Sequence, residues 1–369
     1  MTDDEGERAT GGGRRKRRTA IVSTVAAGAL FAAGAGLWAT GSWPFKDRYC
    51  WGAWQEDSGA LVLGDKVLYG QGAERTGAES APPSPEHPRG SCTVTVHAVS
   101  EPGGEDGPID YDEQVRVQYG PVPVGAADRR EWIATRLDGS GTPLPGGLPG
   151  MVEEGHAVLV LPEECDVDGR PSAVTVRHTG TSADRENSVP MASVIGTLPQ
   201  VTDLLLAVAD KGMEAAGCAP DEPLRRTAEL GPEPGDRLPQ SEDRDVCGHR
   251  GVRLGLDPDR RYLVQPGVDR AGLQYCSLDE FWDPTVRTEW RAHFLATSLP
   301  RLAALFDGLP DGRARGLARA ECDGRPTVFS LYTSPALRER AKPFADRSFT
   351  AYVRSAERHL GCPGAVPST

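Results

Sequence analysis

The chain lacks the short motifs that mark the commonest catalytic machinery. It has no HExxH, no GxSxG turn and no GxxxxGK[ST] loop, and none of its seven histidines (87, 97, 156, 178, 249, 293 and 359) pairs with another at helical ligand spacing. Zinc proteases, α/β-hydrolases and P-loop nucleotidases of recognisable sequence are thereby excluded. A triad assembled from distant residues is not, because triads are defined by geometry rather than by order. CxxC, CxxCH and Cys/His clusters are also absent, which removes the usual support for structural zinc or a thioredoxin-like dithiol. These patterns call for no metal and no cofactor.

Positive charge is sparse beyond the N-terminus. Residues 1–18 hold six basic side chains (Arg8, Arg14, Arg15, Lys16, Arg17, Arg18) against four acidic ones, and the rest of the chain holds 35 basic and 49 acidic residues, a formal charge of −14. A region of that sign repels phosphate backbones, so a nucleic-acid partner is not expected.

Charge is missing altogether from residues 19–45, and residues 20–40 are almost wholly apolar or small. At 1.5 Å per residue about 20 residues cross the hydrocarbon core, so a transmembrane helix is expected over 19–41. The cluster Arg14, Arg15, Lys16, Arg17, Arg18 directly before it directs the 18-residue tail to the cytoplasm and the remainder to the other side, with Trp38, Trp43 and Phe45 at the outer interface. A cleaved secretory signal also has a basic start and an apolar centre. Signal cores run to about 7–15 residues, shorter than this one, and no small-x-small cleavage site follows before Trp43. A twin-arginine signal lacks its usual following pattern after Arg18. Gly28, Ala32 and Gly36 line one helix face, the spacing that lets two transmembrane helices approach and form a homodimer. Chance spacing in an Ala/Gly-rich helix is the competing explanation.

All eight cysteines (Cys50, Cys92, Cys165, Cys218, Cys247, Cys276, Cys322, Cys362) follow the apolar run, and an even count on an oxidising side reads as disulfides. An internal match selects the pairing. Glu164-Cys165-Asp166-Val167-Asp168-Gly169-Arg170-Pro171 corresponds to Glu321-Cys322-Asp323-Gly324-Arg325-Pro326, each between an apolar run and an alternating one. Strand, Asp-Gly turn, strand is the simplest reading. Downstream, Leu204, Leu205, Val208, Met213 and Ala216 precede Gly217-Cys218, as Phe349, Tyr352, Val353, Ala356 and Leu360 precede Gly361-Cys362. Both patterns predict a helix ending on a glycine cap. The expected bridges are 50–92, 165–218, 247–276 and 322–362.

The fold class expected is α+β, with the transmembrane helix followed by two tandem disulfide-stapled modules of antiparallel sheet plus helix, at 47–218 and 246–363. Residues 219–245, rich in Pro and charge, read as an exposed linker. In the first module strands are expected at 60–63, 93–99, 115–119, 157–161 and 173–177, and a helix at 128–137, with the Pro-rich stretches 80–90 and 139–150 unstructured. In the second, 287–306 reads as helix or as strand then helix, interrupted at Pro300.

Three features invite chemistry. Asp166-Val167-Asp168-Gly169 resembles the start of a calcium loop, but lacks the third ligand position and the closing bidentate Glu, and a hairpin turn is the simpler reading. Arg170-Pro171 and Arg325-Pro326 suggest a paired anion site, against a restricted turn with a solvated Arg. Trp51 and Trp54 beside Cys50 suggest a ligand platform, against packing on the disulfide.

In its Arg-rich tail, Ala/Gly-rich single helix and acidic, Pro-rich, cysteine-paired exterior the chain resembles the single-pass, membrane-anchored extracytoplasmic proteins of high-GC actinobacteria. Its α+β modules look loosely like the extracytoplasmic sensor domains of that group. The apolar segment and its basic flank imply a cell-membrane location, the expected partner is an envelope ligand or protein, and the resemblance carries no site residue with it. The expected function is binding, sensing or scaffolding without catalysis. The alternatives are an extracytoplasmic hydrolase acting on envelope material and an assembly partner working through its transmembrane helix.

Overall fold

A computed structural model describes residues 47–68, 72–100, 109–137, 141–182, 195–230, 238–240, 245–257, 259–266, 272–280, 291–322, 324–360 and 362. The tail 1–18, the segment 19–41 and the Gly28, Ala32, Gly36 face lie outside these residues. Among the described residues no helix is long and apolar enough to cross a membrane.

Alternation of apolar and polar side chains builds the first sheet. A two-residue hairpin, β1 (Arg48–Tyr49) with β2 (Trp54–Gln55), precedes it. Its strands are β3 (Glu74–Glu79), β4 (Gly90–Ser100), β5 (Ile109–Pro121), β6 (Thr142–Pro143), β7 (Gly150–Val152), β8 (His156–Val160) and β9 (Ser172–Ser182). They pair antiparallel throughout in the order β3-β4-β5-β9-β8-β7-β6. Val94, Val96, Val115, Val117, Val174 and Val176 point to one face, as a period of two requires, and bury against the helix that follows. Between β5 and β6 lies α1 (Ala126–Arg136), and after β9 comes α2 (Leu198–Ala216).

Helix α2 has defined ends. Thr197 and Gln200 form a capping box, and Gly217 turns left-handed at φ 72° so that the Cys218 N–H reaches the Met213 carbonyl at 3.0 Å. The mid-helix Gly212 has a packing reason, since a Cβ there would run into the Tyr119 ring.

The second sheet holds β10 (Leu238–Gln240), β11 (Tyr262–Pro266), β12 (Leu273–Glu280), β13 (Arg291–Thr297), β14 (Leu317–Cys322) and β15 (Arg325–Thr333) in the order β10-β11-β12-β13-β15-β14, again antiparallel. Helix α3 (Pro300–Ala304) joins β13 to β14, and α4 (Pro335–Ala341) and α5 (Ala345–Leu360) follow β15. The strand order β12-β13-β15-β14 has the same connectivity as β4-β5-β9-β8, with a helix after the second strand and a longer one after the fourth.

All four disulfides join the expected partners: Cys50–Cys92, Cys165–Cys218, Cys247–Cys276 and Cys322–Cys362. In each half one bridge enters the sheet beside its first long strand and the other ties the end of a hairpin strand to the end of the closing helix.

Several local expectations differ from what forms. Residues 61–63 make a 3-10 turn rather than a strand, because the Leu63 N–H closes on the Ala60 carbonyl. The Pro-rich 139–150 is not an unstructured insertion where it is described: Thr142, Pro143, Leu144 and Pro145 are buried, with Pro143 on the edge strand β6, where a missing N–H costs no ladder bond. The stretch 219–245, read as an exposed linker, contains β10, and its Leu224 and Leu230 pack against the first core. Residues 287–306 divide into β13 and α3, with 287–290 outside the described residues.

Three apolar clusters hold the described residues from Arg48 onward as one compact body. The first lies between sheet one and α2, and the second between sheet two and α5. The third joins the halves: Val158 and Val160 of sheet one, Ile133 of α1, Leu302 and Phe306 about α3, and Tyr275, Leu295 and Val328 of sheet two. Helices α1 and α3 contribute to this cluster on the faces opposite α2 and α5.

Candidate functional site

The features singled out in the sequence turn out to be structural. The Asp166 carboxylate is gripped by both terminal nitrogens of Arg301, whose Nε donates to the Leu161 carbonyl at 2.8 Å, and Asp168 lies 3.5 Å from Arg170. No group of three or more His, Cys, Asp or Glu residues suited to a metal occurs among the described residues. The Asp-Gly turn is a bridge between Val167 and Arg170, as a plain hairpin turn requires. Arg170 donates to the Val122 carbonyl at 2.8 Å, so it is occupied within its own half rather than paired with Arg325 as an anion site. Trp54 is buried and donates its indole N–H to the Leu204 carbonyl at 2.9 Å. Trp51 lies partly buried on Gly90 and donates to the Ser80 carbonyl at 3.2 Å. Both are packing residues rather than an open platform.

What the sequence did not signal is a cleft of about 820 Å³ bounded by α1 from the first half and by β15, the 313–316 turn, α4 and the start of α5 from the second. One face of α1 enters it: Ala127, Arg130 and Ala134 recur at helical spacing, with Ile133 and Leu137 beneath. Leu295, Phe306, Leu331 and Phe349 extend the carbon wall from the second half. A second hollow of about 540 Å³ lies over Gln118 and Thr175 of sheet one and Trp132 of α1, and Arg89 is its only charged lining residue among the described residues.

The mouth of the larger cleft is basic. Arg130, Arg253, Arg313, Arg315, Arg338 and Lys342 face Glu131, Glu339 and Asp346, an excess of three positive charges in a region whose overall sign is negative. Burial first, then the like charges of Arg315, Arg319 and Arg338, push the Arg130 guanidinium below its ordinary value, and Asp311 opposes this. Arg130 stays in place because its two terminal nitrogens donate to the Arg315 carbonyl at 2.7 Å and the Pro310 carbonyl at 2.9 Å. Beside it the buried Arg129 spans the halves, donating to the Pro123 carbonyl at 2.8 Å and the Asp307 carbonyl at 2.6 Å. Burial again lowers its pKa, with a further contribution from Arg170.

Arg338 donates once, to the Thr333 carbonyl at 2.9 Å, and is otherwise exposed, as are Arg315 and Lys342. None of these three has a carboxylate partner among the described residues, whereas Arg75, Arg226, Arg260, Arg301, Arg319 and Arg340 each do. His293 also borders the cleft, but it is 5% exposed, lies across from Ser277 and Tyr332 within the sheet, and meets the Tyr332 ring edge-on at 6.1 Å.

The arrangement suits recognition of a ligand that is partly carbon and partly anionic. Arginine forks give directional hydrogen bonds, and a concave apolar wall supplies area. Comparison with protein-family models, with curated proteins and with solved structures finds no match.

Proposed function

We propose that the chain is a membrane-anchored extracytoplasmic binding protein, serving as sensor or scaffold, with its N-terminus cytoplasmic, segment 19–41 in the bilayer and its ligand site in the cleft beside α1. The observation that carries the reading is that cleft: a concave, largely apolar site with a basic mouth, built from both halves and braced by Arg129 and Arg130. Four closed disulfides, with no free cysteine among the described residues, suit an oxidising compartment. The shared strand order and equivalent bridges support a duplicated ancestral module, and the cleft arises where the two copies meet.

The test is made on the full-length chain in its own membrane. Thiols are blocked on intact cells before lysis and the peptides are mapped without reduction. Four intramodular bridges, with the cytoplasmic tail and the 19–41 segment protected from external labelling and the rest of the chain open to it, are expected. Free thiols or an exposed N-terminus would refute the topology. Turnover of an envelope substrate, abolished by one point substitution, would refute the non-enzymatic reading in favour of the hydrolase.

A further inference from the structure

We infer that the cleft takes an amphiphilic anion, with a carboxylate or phosphate held by Arg315 and Arg338 and an aliphatic chain laid along Ala127, Ile133, Ala134 and Leu331. The inference rests on the reading of the cleft as the ligand site and adds the chemistry of what enters it.

Beyond the tail the chain carries a formal charge of −14, yet this cleft gathers six cations against three anions. Its residues come from positions 130, 253, 313, 315, 338 and 342, so folding concentrates the charge where no basic run in the sequence announces it. Crowding cations at one mouth costs free energy, and the downward push of Arg315, Arg319 and Arg338 on Arg130 is a sign of that repulsion. An anion would relieve it.

The donors divide by availability. Arg130 is committed to the Pro310 and Arg315 carbonyls and so fixes the turn that carries Arg315. Arg338 has spent one donor on Thr333, while Arg315 and Lys342 have no carboxylate partner among the described residues. Arg315 and Arg338 therefore keep the planar forks that match a carboxylate or phosphate, with Lys342 adding a point charge.

The carbon wall sets the rest of the ligand. A volume of about 820 Å³ falls within the range of small-molecule sites, roughly 300–1,000 Å³. An inorganic ion would leave most of that wall wet, whereas an aliphatic chain covers it. A nucleic acid is disfavoured because the chain beyond the tail carries a formal charge of −14, which repels a long polyanion.

The experiment uses the full-length chain in nanodiscs of phosphatidylcholine, titrated calorimetrically with dodecanoate, dodecyl phosphate, dodecanol and inorganic phosphate, with empty nanodiscs subtracted. The two anionic amphiphiles are expected to bind at least 10-fold more tightly than dodecanol and than inorganic phosphate, and to weaken as salt is raised. Arg338→Gln and Arg315→Ala should each lower dodecanoate affinity about 5- to 10-fold and leave dodecanol unchanged. Mapping the four bridges in each variant checks that it has folded. Equal binding of dodecanoate and dodecanol would overturn the anionic part and leave the cleft as an apolar ligand site. Equal binding of phosphate and dodecyl phosphate would overturn the apolar part. Failure of all four probes would remove the amphiphile inference, and if bulky substitution at Ala134 then also left capture of envelope extracts unchanged, the cleft would fail as the ligand site. Replacing part of the phosphatidylcholine by phosphatidylglycerol separates the sources. Suppressed dodecanoate binding supports a lipid headgroup, and unchanged binding supports a free amphiphile.

Discussion

Breaking the grip of Arg301 on Asp166 tests whether the two halves work as one body. The two side chains are 20% and 18% exposed, the contact is two-pronged, and a third guanidinium donor holds the Leu161 carbonyl at 2.8 Å. An exposed ion pair contributes about 0–1 kcal/mol, and stranding one partner of a fully buried pair costs about 3–5 kcal/mol. With four-fifths of each side chain covered, Arg301→Met should cost roughly 2–4 kcal/mol, because it leaves the carboxylate with only the Ser172 N–H at 3.4 Å and strips the Leu161 carbonyl of its guanidinium donor. Asp166→Asn keeps one acceptor oxygen and should cost roughly 1–2 kcal/mol. The double variant should fall short of the sum by about 1–2 kcal/mol. Urea unfolding of the oxidised full-length chain, followed by near- and far-ultraviolet circular dichroism, reads all four corners of this cycle. One transition with an unchanged slope is expected, since Arg301 belongs to the second half and Asp166 to the first while the apolar cluster between them is shared. Additivity within about 0.5 kcal/mol, or two separate transitions in the parent chain, would refute the reasoning.

Gly212→Ala should destabilise by about 1–3 kcal/mol, because its methyl meets the Tyr119 ring where α2 lies on sheet one; thermal unfolding reads this, and an unchanged Tm would show that the helix can lift away. Tyr352→Phe should stabilise at pH 7 by about 1 kcal/mol or more, since the buried hydroxyl has no hydrogen-bond partner among the described residues and the ring keeps its edge contacts with Phe294 and His249. Burial raises Tyr119, Tyr262 and Tyr352 above their ordinary pKa of 10.0. The unfolded chain therefore loses these protons first as pH rises through 10, and stability should fall there by up to about 1.4 kcal/mol per pH unit for each tyrosine until the folded pKa is passed. Tyr352→Phe should shallow that slope by one such step, and an identical slope would place the loss elsewhere. Replacing Cys165 and Cys218 together by Ala should cost about 4 kcal/mol in the chain-entropy estimate for a separation of 53 residues, measured as the shift in urea midpoint.

Periodic and repeated features were legible in advance. The alternation of Val94, Val96, Val115 and Val117 placed β4 and β5, the matching Glu-Cys-Asp and Gly-Cys segments selected 165–218 and 322–362, and the repeat left one further pair of cysteines in sequence in each module, 50–92 and 247–276. Elements that carry little apolar signal were not. Strand β3 reads Glu-Arg-Thr-Gly-Ala-Glu and exists because β4 offers it an edge, with Tyr49 lying over Gly77. Pro143 and Pro145 signalled a loop by composition, and burial at the junction made part of that stretch an edge strand. The cleft was least legible of all. Arg130 and Arg338 are 208 positions apart, and nothing local in either segment distinguishes a ligand-facing arginine from a solvated one.

The junction between the halves explains why the cleft lies where it does. Each half supplies a sheet whose one face is covered by its own long helix, α2 or α5, so the opposite faces must find cover elsewhere. Val158, Val160, Leu295 and Val328 cover one another across the junction, and α1 and α3 fill the space beside them. Helix α1 is thereby held against the second half by Arg129 on the Asp307 carbonyl and by Arg130 on the Pro310 and Arg315 carbonyls. One face of α1 is left as the wall of a cleft whose other wall is sheet two. A site of this kind cannot form in either half alone, so a chain truncated after residue 218 should retain its two disulfides and lose all binding that the cleft provides.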